Sequence, residues 1–419
     1  MDIYGALAVT LMVLGLIVSS AGGLGGGVIM VPAMVLIMGI DIKRATPISN
    51  VAIFGGAVAN AWFNMRKRHP TVDRPLIDPE LALGMIPVVI GGAVLGAIIN
   101  KLIPSYVLSL LFVVVLFVGG SRAMMKGIHL HKKELSKKKE AEGIVNEVVF
   151  DVQTSPITYV QMTTPQKDDV LCEKRESSSI GTTDEVESAA ILVQILEKER
   201  HFAWGPHITI MVCYLGVVAT SIGGVAVHCG GVVYWVLLLI EVPWIALVVV
   251  LTSRYLHKEY LRKLEVKYEF KEGDIRWTKK TVIYFPLGCA AAGIAAGMFG
   301  VGGGIITGPI MIELGVVPEV ASSTTALMIL YSSAAATTKY ALFKMIAWDW
   351  ALLLAAVAFV VTSASQVVIL GYVRRTGRQS IIVLCIAVTV LLGGVVLTYQ
   401  AIQSTVDNAG HPFSPNVCR

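Results

Sequence analysis

The residues with most chemical potential in this chain are two glycine runs and the hydroxyl clusters that follow them. Gly23, Gly25, Gly26 and Gly27 stand in AGGLGGGVIMVP, Ala21–Pro32, and Gly300, Gly302, Gly303 and Gly304 stand in MFGVGGGIITGP, Met298–Pro309. A constant shift superposes the glycines and carries Pro32 onto Pro309. Thr46, Ser49 and Asn50 follow the first copy, and Ser322, Ser323, Thr324 and Thr325 follow the second, with one residue dropped between copies. Glycine runs are poor helix formers and let other groups approach the main chain. A helix beginning near Val28 or Ile305 aims unpaired N–H groups and the positive end of its dipole at the break. With hydroxyls nearby, that is chemistry for holding an anion. Each feature also has a plainer explanation, since glycine lets membrane helices pack closely and Ser or Thr near a helix start usually caps it. The duplication at matching places is what points beyond packing.

Motifs for bond-making chemistry are missing. GLGGGV with Asp41 downstream imitates a dinucleotide loop, but that fingerprint needs a strand–helix–strand unit, and here the flanks are long apolar runs. No G-x-x-x-x-G-K-[ST], HExxH or GxSxG occurs. The six cysteines, Cys172, Cys213, Cys229, Cys289, Cys385 and Cys418, form no CxxC pair, so neither a disulfide framework nor a zinc site is indicated. The expectation is no catalytic residue, no metal and no cofactor.

Composition sets the class. The chain has 419 residues, 55% hydrophobic and 15% charged, with mean hydropathy +0.71, whereas soluble domains carry about 25% charged residues. Its apolar runs reach the length of about 18 or more that crosses a bilayer. They are Ile3–Ser20, Thr46–Asn64, Leu81–Asn100, Tyr106–Gly120, His207–Ile222, Val232–Leu251, Thr281–Ala296, Ala321–Phe343, Trp350–Tyr372 and Ile381–Ala401, with the short Val28–Ile40 and Ile305–Leu314 after the glycines. The N-terminus lacks a basic signal-peptide region, so Ile3–Ser20 reads as a retained span.

This predicts an all-α, polytopic integral membrane protein of two homologous repeats with Gly-broken hairpin segments. Residues 1–121 form the first repeat, 204–253 a middle hairpin, 254–280 a basic interfacial loop, 281–402 the second repeat and 403–419 a polar tail. Between them, 122–203 is a polar insertion with a basic start and an acidic remainder, read as largely disordered. Within it, Glu187–Arg200 has the pattern of one short amphipathic helix. In the basic loop, RYLHKEYLRKL puts Leu256, Tyr260 and Leu264 on one helical face, which suits the membrane interface.

Charge gives the topology. Arg66-Lys67-Arg68, the start of the insertion, Arg254–Lys280 and Arg374, Arg375 and Arg378 share one side if each pair of segments around a glycine break enters and returns as a hairpin. The positive-inside rule makes that side cytoplasmic and the two repeats inverted, an architecture whose site lies at the repeat interface. If each break only bends a single span, the repeats are parallel instead. The net charge of +5 sits beside apolar runs, so the partner is the lipid bilayer and not nucleic acid. Glu313 and His228 are candidates for proton coupling, since ionisable groups in apolar segments default to functional hypotheses. Glu313 and Lys339 lie near segment ends, from which their charges reach the interface, while His228 and Glu241 flank the middle span.

At these residues the chain resembles the TauE/SafE sulfite-exporter family, within the toluene-sulfonate uptake permease superfamily. The GGLGGG and GVGGG runs followed by Pro, and the hydroxyl-rich segment after each, carry the resemblance. CGGVVYW (Cys229–Trp235), KEGDIRW (Lys271–Trp277), Glu313-Leu314-Gly315 and GRQSII (Gly377–Ile382) look like its plant and protist branch. The resemblance implies a polytopic carrier of small sulfur-containing anions such as sulfite or sulfonates. The long insertion, and Glu241 and Glu319 where plant-like members are expected to carry Gln, depart from the pattern. The function expected is transport of such an anion by alternating access, bound between the two breaks. A scaffold or receptor acting through the insertion and a passive anion channel are the alternatives; an enzyme is not expected. The protein is placed in a membrane as a multi-pass chain, plasma membrane or endomembrane, with a homo-oligomer left open.

Overall fold

Where a carboxylate or proline precedes an apolar run, helix begins. Asp78 accepts hydrogen bonds from the N–H groups of Glu80 and Leu81, and Pro79 opens the helix behind it, the favoured order at an N-terminus. The structure, a computed structural model, describes residues 10, 12–17, 26–69, 72–154, 183–201, 203–227, 231–271, 273–376 and 379–407. Residues 12–17 are helical. The numbered helices follow: α1 (Gly27–Leu36), α2 (Ile42–Met65), α3 (Pro79–Leu102), α4 (Ser105–Thr154), α5 (Thr183–Arg200), α6 (Trp204–Ala226), α7 (Val232–Leu239), α8 (Glu241–Glu265), α9 (Thr281–Phe299), α10 (Gly304–Glu313), α11 (Pro318–Leu342), α12 (Trp348–Thr376) and α13 (Gln379–Asp407). Among the described residues there is no strand, only an isolated antiparallel bridge between Arg68 and Pro75.

Among the described residues six helices are long and apolar enough to cross a membrane: Pro79–Leu102, Ser105–Ser136, Trp204–Gly224, Val232–Glu265, Thr281–Phe299 and Trp348–Val368. The chain is an all-α, multi-pass membrane protein. α1 and α10, ten residues each, are about 15 Å long and reach halfway across a bilayer core. The polar α2 and α11 are the best-shielded long helices after α3. Their buried residues include Thr46, Ser49, Asn50 and Asn60 on α2 and Ser323, Thr324, Thr325 and Ser333 on α11. By contrast 83% of the α3 window is buried and only 28% of those of α6 and α8, so α3 lies inside and α6 and α8 face lipid.

Packing between the two glycine-bearing halves comes in matched pairs. α12 lies along α2 as α11 lies along α3, α11 also crosses α2, and α13 pairs with α4. α3 and α9 approach most closely, because Gly92 and Gly96 face Gly293 and Gly297. A Cβ on Gly297 would lie 2.1 Å from the Ala93 carbonyl oxygen, so this close approach needs glycine, as in small-xxx-small membrane contacts.

Two segments differ from the sequence expectation. The insertion is more ordered than its polarity suggests. α4 continues past the apolar run to Thr154, and the Glu187–Arg200 pattern lies within the helix α5; 155–182 fall outside the described residues. α5 docks: Ile195 packs on Val266 and Tyr268, and Glu199 accepts from Lys263 Nζ at 2.8 Å and Tyr268 Oη at 2.7 Å. Nor is the stretch RYLHKEYLRKL a separate interfacial element. It forms the last turns of α8, with Leu256 1% exposed and Lys263 held by Glu80 at 2.7 Å as well as Glu199. A lysine stem packs on apolar surface while its head finds carboxylates, and here those carboxylates are distant in sequence.

Candidate functional site at the glycine breaks

Three side chains from three helices close the end of α9. In the last turn of a helix the carbonyl groups have no intrahelical partner, and in a membrane they must be satisfied by protein. Tyr340 of α11 donates to Gly297 O at 2.6 Å, Asn100 of α3 to Met298 O at 2.7 Å, and Ser49 of α2 to Gly300 O at 2.8 Å. Gly300 ends the helix in the left-handed region, φ 66°, where an L side chain is strained. Phe112 of α4 stacks on Phe299 with ring centroids 5.0 Å apart. In the other half, Ser365 of α12 donates to Ile17 O at 3.0 Å. Asn100→Leu is expected to leave Met298 O unpaired and to cost about 1–3 kcal/mol, read as a lower melting temperature in detergent; an unchanged midpoint would remove this bond from the account.

The two breaks meet. A Cβ on Gly27, the first residue of α1, would lie 2.2 Å from Gly300 O, so the start of one half-helix is pressed against the opposite break. Gly26 O accepts from the N–H groups of Ile29 and Met30, leaving Gly27 and Val28 as the first-turn donors nearest the contact. Around it stand the α2 residues: Asn50 Nδ2 donates to Thr46 O at 3.1 Å, and Thr46 O also lies 2.8 Å from a Cβ built on Gly300. Gly302 and Gly303 share the positive φ of Gly300, at 82° and 65°, and Thr307 donates back to Gly303 O at 3.3 Å. Gly304 opens α10. Gly23 and Gly25 lie outside the described residues.

Neither hydroxyl cluster caps its helix. α2 starts at Ile42 after Asp41 and α11 at Pro318 after Val317, so both clusters sit a turn or more inside. Ser323 donates to Val320 O at 3.0 Å and Leu76 O at 3.3 Å, and Thr324 Oγ1 accepts from Asp78 N–H at 3.4 Å. Ser322 is half-buried. Thr46 and Thr325 differ from the rest. They are 0% and 1% exposed, and their hydroxyls have no hydrogen-bond partner among the described residues. Buried hydroxyls are normally paired, so two orphans, one in each glycine-bearing half, mark polar capacity not used by the described contacts.

Sequence reasoning missed a second polar cluster. Glu241 opens α8 and Lys339 lies in the last turn of α11, and both side chains are 1% exposed and joined in an ion pair. Lys339 therefore does not extend to the interface as expected from its place near a segment end. Thr220 of α6 donates to Glu241 Oε1 at 2.6 Å, while Oε2 is buried and unpartnered. Two intramembrane charges of opposite sign were the available signal. Of the two coupling candidates, Glu313 is exposed at the end of α10, with its charge acting on Lys126 of α4, and His228 lies outside the described residues.

The sulfite exporter TauE/SafE family model matches residues 4–142 and 198–393. The chain belongs to this family. Relatives from Arabidopsis thaliana agree. Sulfite exporter TauE/SafE family protein 3 is 30% identical over 384 residues, covering 90% of this chain and 74% of that protein. Family protein 5 is 26% identical over 401 residues, covering 94% and 82%. No solved structure matches the chain. Both family-matched regions include a glycine break, and the unmatched 143–197 takes in the end of α4 and most of α5.

In this TauE/SafE member the docked insertion helix borders a charged loop between α2 and α3. Arg74 binds Asp274 at 2.6 Å. Burial opposes the Arg74 charge, but Asp78 and Asp274 outweigh it and its pKa is raised. Burial, then Arg74, lowers that of His69, so His69 is neutral at pH 7. Burial, with the hydrogen bond to Glu199, raises that of the Tyr268 phenol. A cavity of about 640 Å³, lined by Leu83, Lys198, Thr209, Leu251 and Tyr255 among others, opens beside α5; its lining contains no residue of either break. Among the described residues no group of three or more His, Cys, Asp or Glu could hold a metal.

Proposed function

We propose that this chain carries a small sulfur-containing anion, such as sulfite or a sulfonate, across the membrane by alternating access between its two repeats. The observation that carries the reading is the contact of Gly27 with Gly300, which brings the two breaks together beside the orphaned hydroxyl of Thr46. An anion entering between the breaks replaces that contact. The first-turn N–H groups of α1 and α10, at positive dipole ends, and the hydroxyls of Thr46 and Thr325 then have an acceptor. The remaining glycines and Ser49, Asn50, Ser322, Ser323 and Thr324 shape the surroundings. The family name, sulfite exporter, supports the substrate class.

Matched pairs of contacts between the halves, together with the basic clusters on one side, support repeats of opposite orientation. The basic side, with the face bearing α5, is then cytoplasmic. Reconstituted protein in liposomes should take up labelled sulfite or a small sulfonate saturably and show counterflow. Flux that never saturates and shows no counterflow would indicate a channel. No flux of any anion, with the insertion still capturing partners, would reject the carrier for a scaffold.

A further inference from the structure

The fully buried pair of Glu241 and Lys339 is not explained by the glycine site. Thr220 lies about 9 Å from the nearer end of α6 at 1.5 Å per residue, and Glu241, beside it, lies about 13 Å into the span Val232–Glu265. Charges at such depth are costly and gather at sites of ion movement. A buried pair placed only for stability is often matched or bettered by apolar residues of similar size. The carboxylate is also incompletely served, since one oxygen takes Lys339 and Thr220 while the other, buried, has no partner among the described residues. That free oxygen is where a proton can be added without breaking a bond.

Few other ionisable groups surround it. α11 brings Lys339, with Thr338 3.5 Å from Tyr214 of α6. α6 also brings Cys213, whose carbonyl accepts from Trp244 of α8, and α7 brings the buried Tyr234. The α3 stretch packed on α8, from Gly84 to Gly91, contains no ionisable residue. The pair is joined to the breaks through α11. Tyr340, the residue after Lys339, holds Gly297 O on α9 just before Gly300, and the same helix carries Ser323–Thr325.

We propose that Glu241 is the proton-coupling residue of the carrier, with Lys339 as its counter-charge; this rests on the carrier reading above. One proton from the aqueous phase adds to the Glu241 carboxylate and gives the neutral acid, and no other bond changes. Lys339 is then an uncompensated buried cation, and its field favours an anion at the break. The proton leaves on the opposite side when the anion does, so one proton travels with each anion, and for a monoanion such as hydrogensulfite or a sulfonate the step is electroneutral.

The test is anion accumulation in proteoliposomes at zero membrane potential, with labelled sulfite and an imposed pH gradient. Wild type should accumulate about tenfold per pH unit, because a unit is tenfold in proton activity. Glu241→Gln with Lys339→Gln, which leaves no lone charge, should show saturable counterflow weakened by loss of the Lys339 field and accumulate no anion above equilibrium. Infrared difference spectra of purified protein should also show a protonated-carboxyl band on sulfite addition that is lost in the double variant. Undiminished gradient-driven accumulation in that variant, or no such band in wild type, overturns the proposal while leaving the carrier reading intact. Wild type that moves no anion at all defeats the carrier reading and this inference with it.

Discussion

Gly27→Ala is expected to reduce anion flux to background while the protein still reaches the membrane. A methyl group there would sit 2.2 Å from Gly300 O and 2.4 Å from the Ile53 side chain, well inside contact distance. Ile53 can shift, but Gly300 O is backbone already held by Ser49. The half-helix α1 must therefore move off the opposite break, and overpacking of this kind costs about 1–3 kcal/mol. Gly308→Ala is the control. It lies inside the matching half-helix α10 and has nothing within 4 Å of its Cβ position. There alanine should leave flux unchanged and gain about 0.5–1 kcal/mol of helix stability. Equal flux in both variants would separate the breaks from transport.

Lys339→Met is expected to be the most destabilising single change in the membrane region. It strands Glu241 as a buried anion with Thr220 as its remaining donor among the described residues, and removing one partner of a buried pair costs about 3–5 kcal/mol. Adding Glu241→Gln removes the stranded charge and should restore most of the loss. Thermal unfolding in detergent reads both. A double variant as unstable as the single would show that the lysine contributes through packing and not through its charge.

Much of the architecture was readable in the chain because it rests on local signals. Membrane class follows from run length, and the two breaks from their duplicated glycines. The contact between those breaks was not readable, because it depends on Gly27 and Gly300 approaching through tertiary packing. The same holds for the carbonyls at the end of α9. Asn100 and Tyr340 sit at the ends of apolar runs and look like interfacial residues until the orphan carbonyls of another helix are set beside them. Expecting Thr46 or Ser322 at a cap failed by about a turn, since Asp41 and Val317 precede the actual helix starts. Lys339 was placed at the interface and Lys263 was not singled out, because their partners, Glu241 and the pair Glu80 and Glu199, are remote in sequence. Low hydrophobicity argued against order in the insertion, but α5 is held by packing of Ile195 on Val266 and Tyr268 and by the contacts of Glu199 with Lys263 and Tyr268, all with residues remote in sequence.

On the proposed reading, the unpaired hydroxyls of Thr46, beside the Gly300 break, and of Thr325 bind the anion. Thr46→Val with Thr325→Val tests it most directly, because valine keeps the shape and neither hydroxyl has a bond to lose among the described residues. Removing an unpaired buried hydroxyl should leave stability unchanged or slightly higher. The measurement is sulfite counterflow in proteoliposomes beside the melting temperature of the same preparations. Counterflow should fall at least about tenfold, the equivalent of 1.4 kcal/mol of lost binding, at an unchanged or raised melting temperature. Wild-type counterflow in the double variant would contradict that reading.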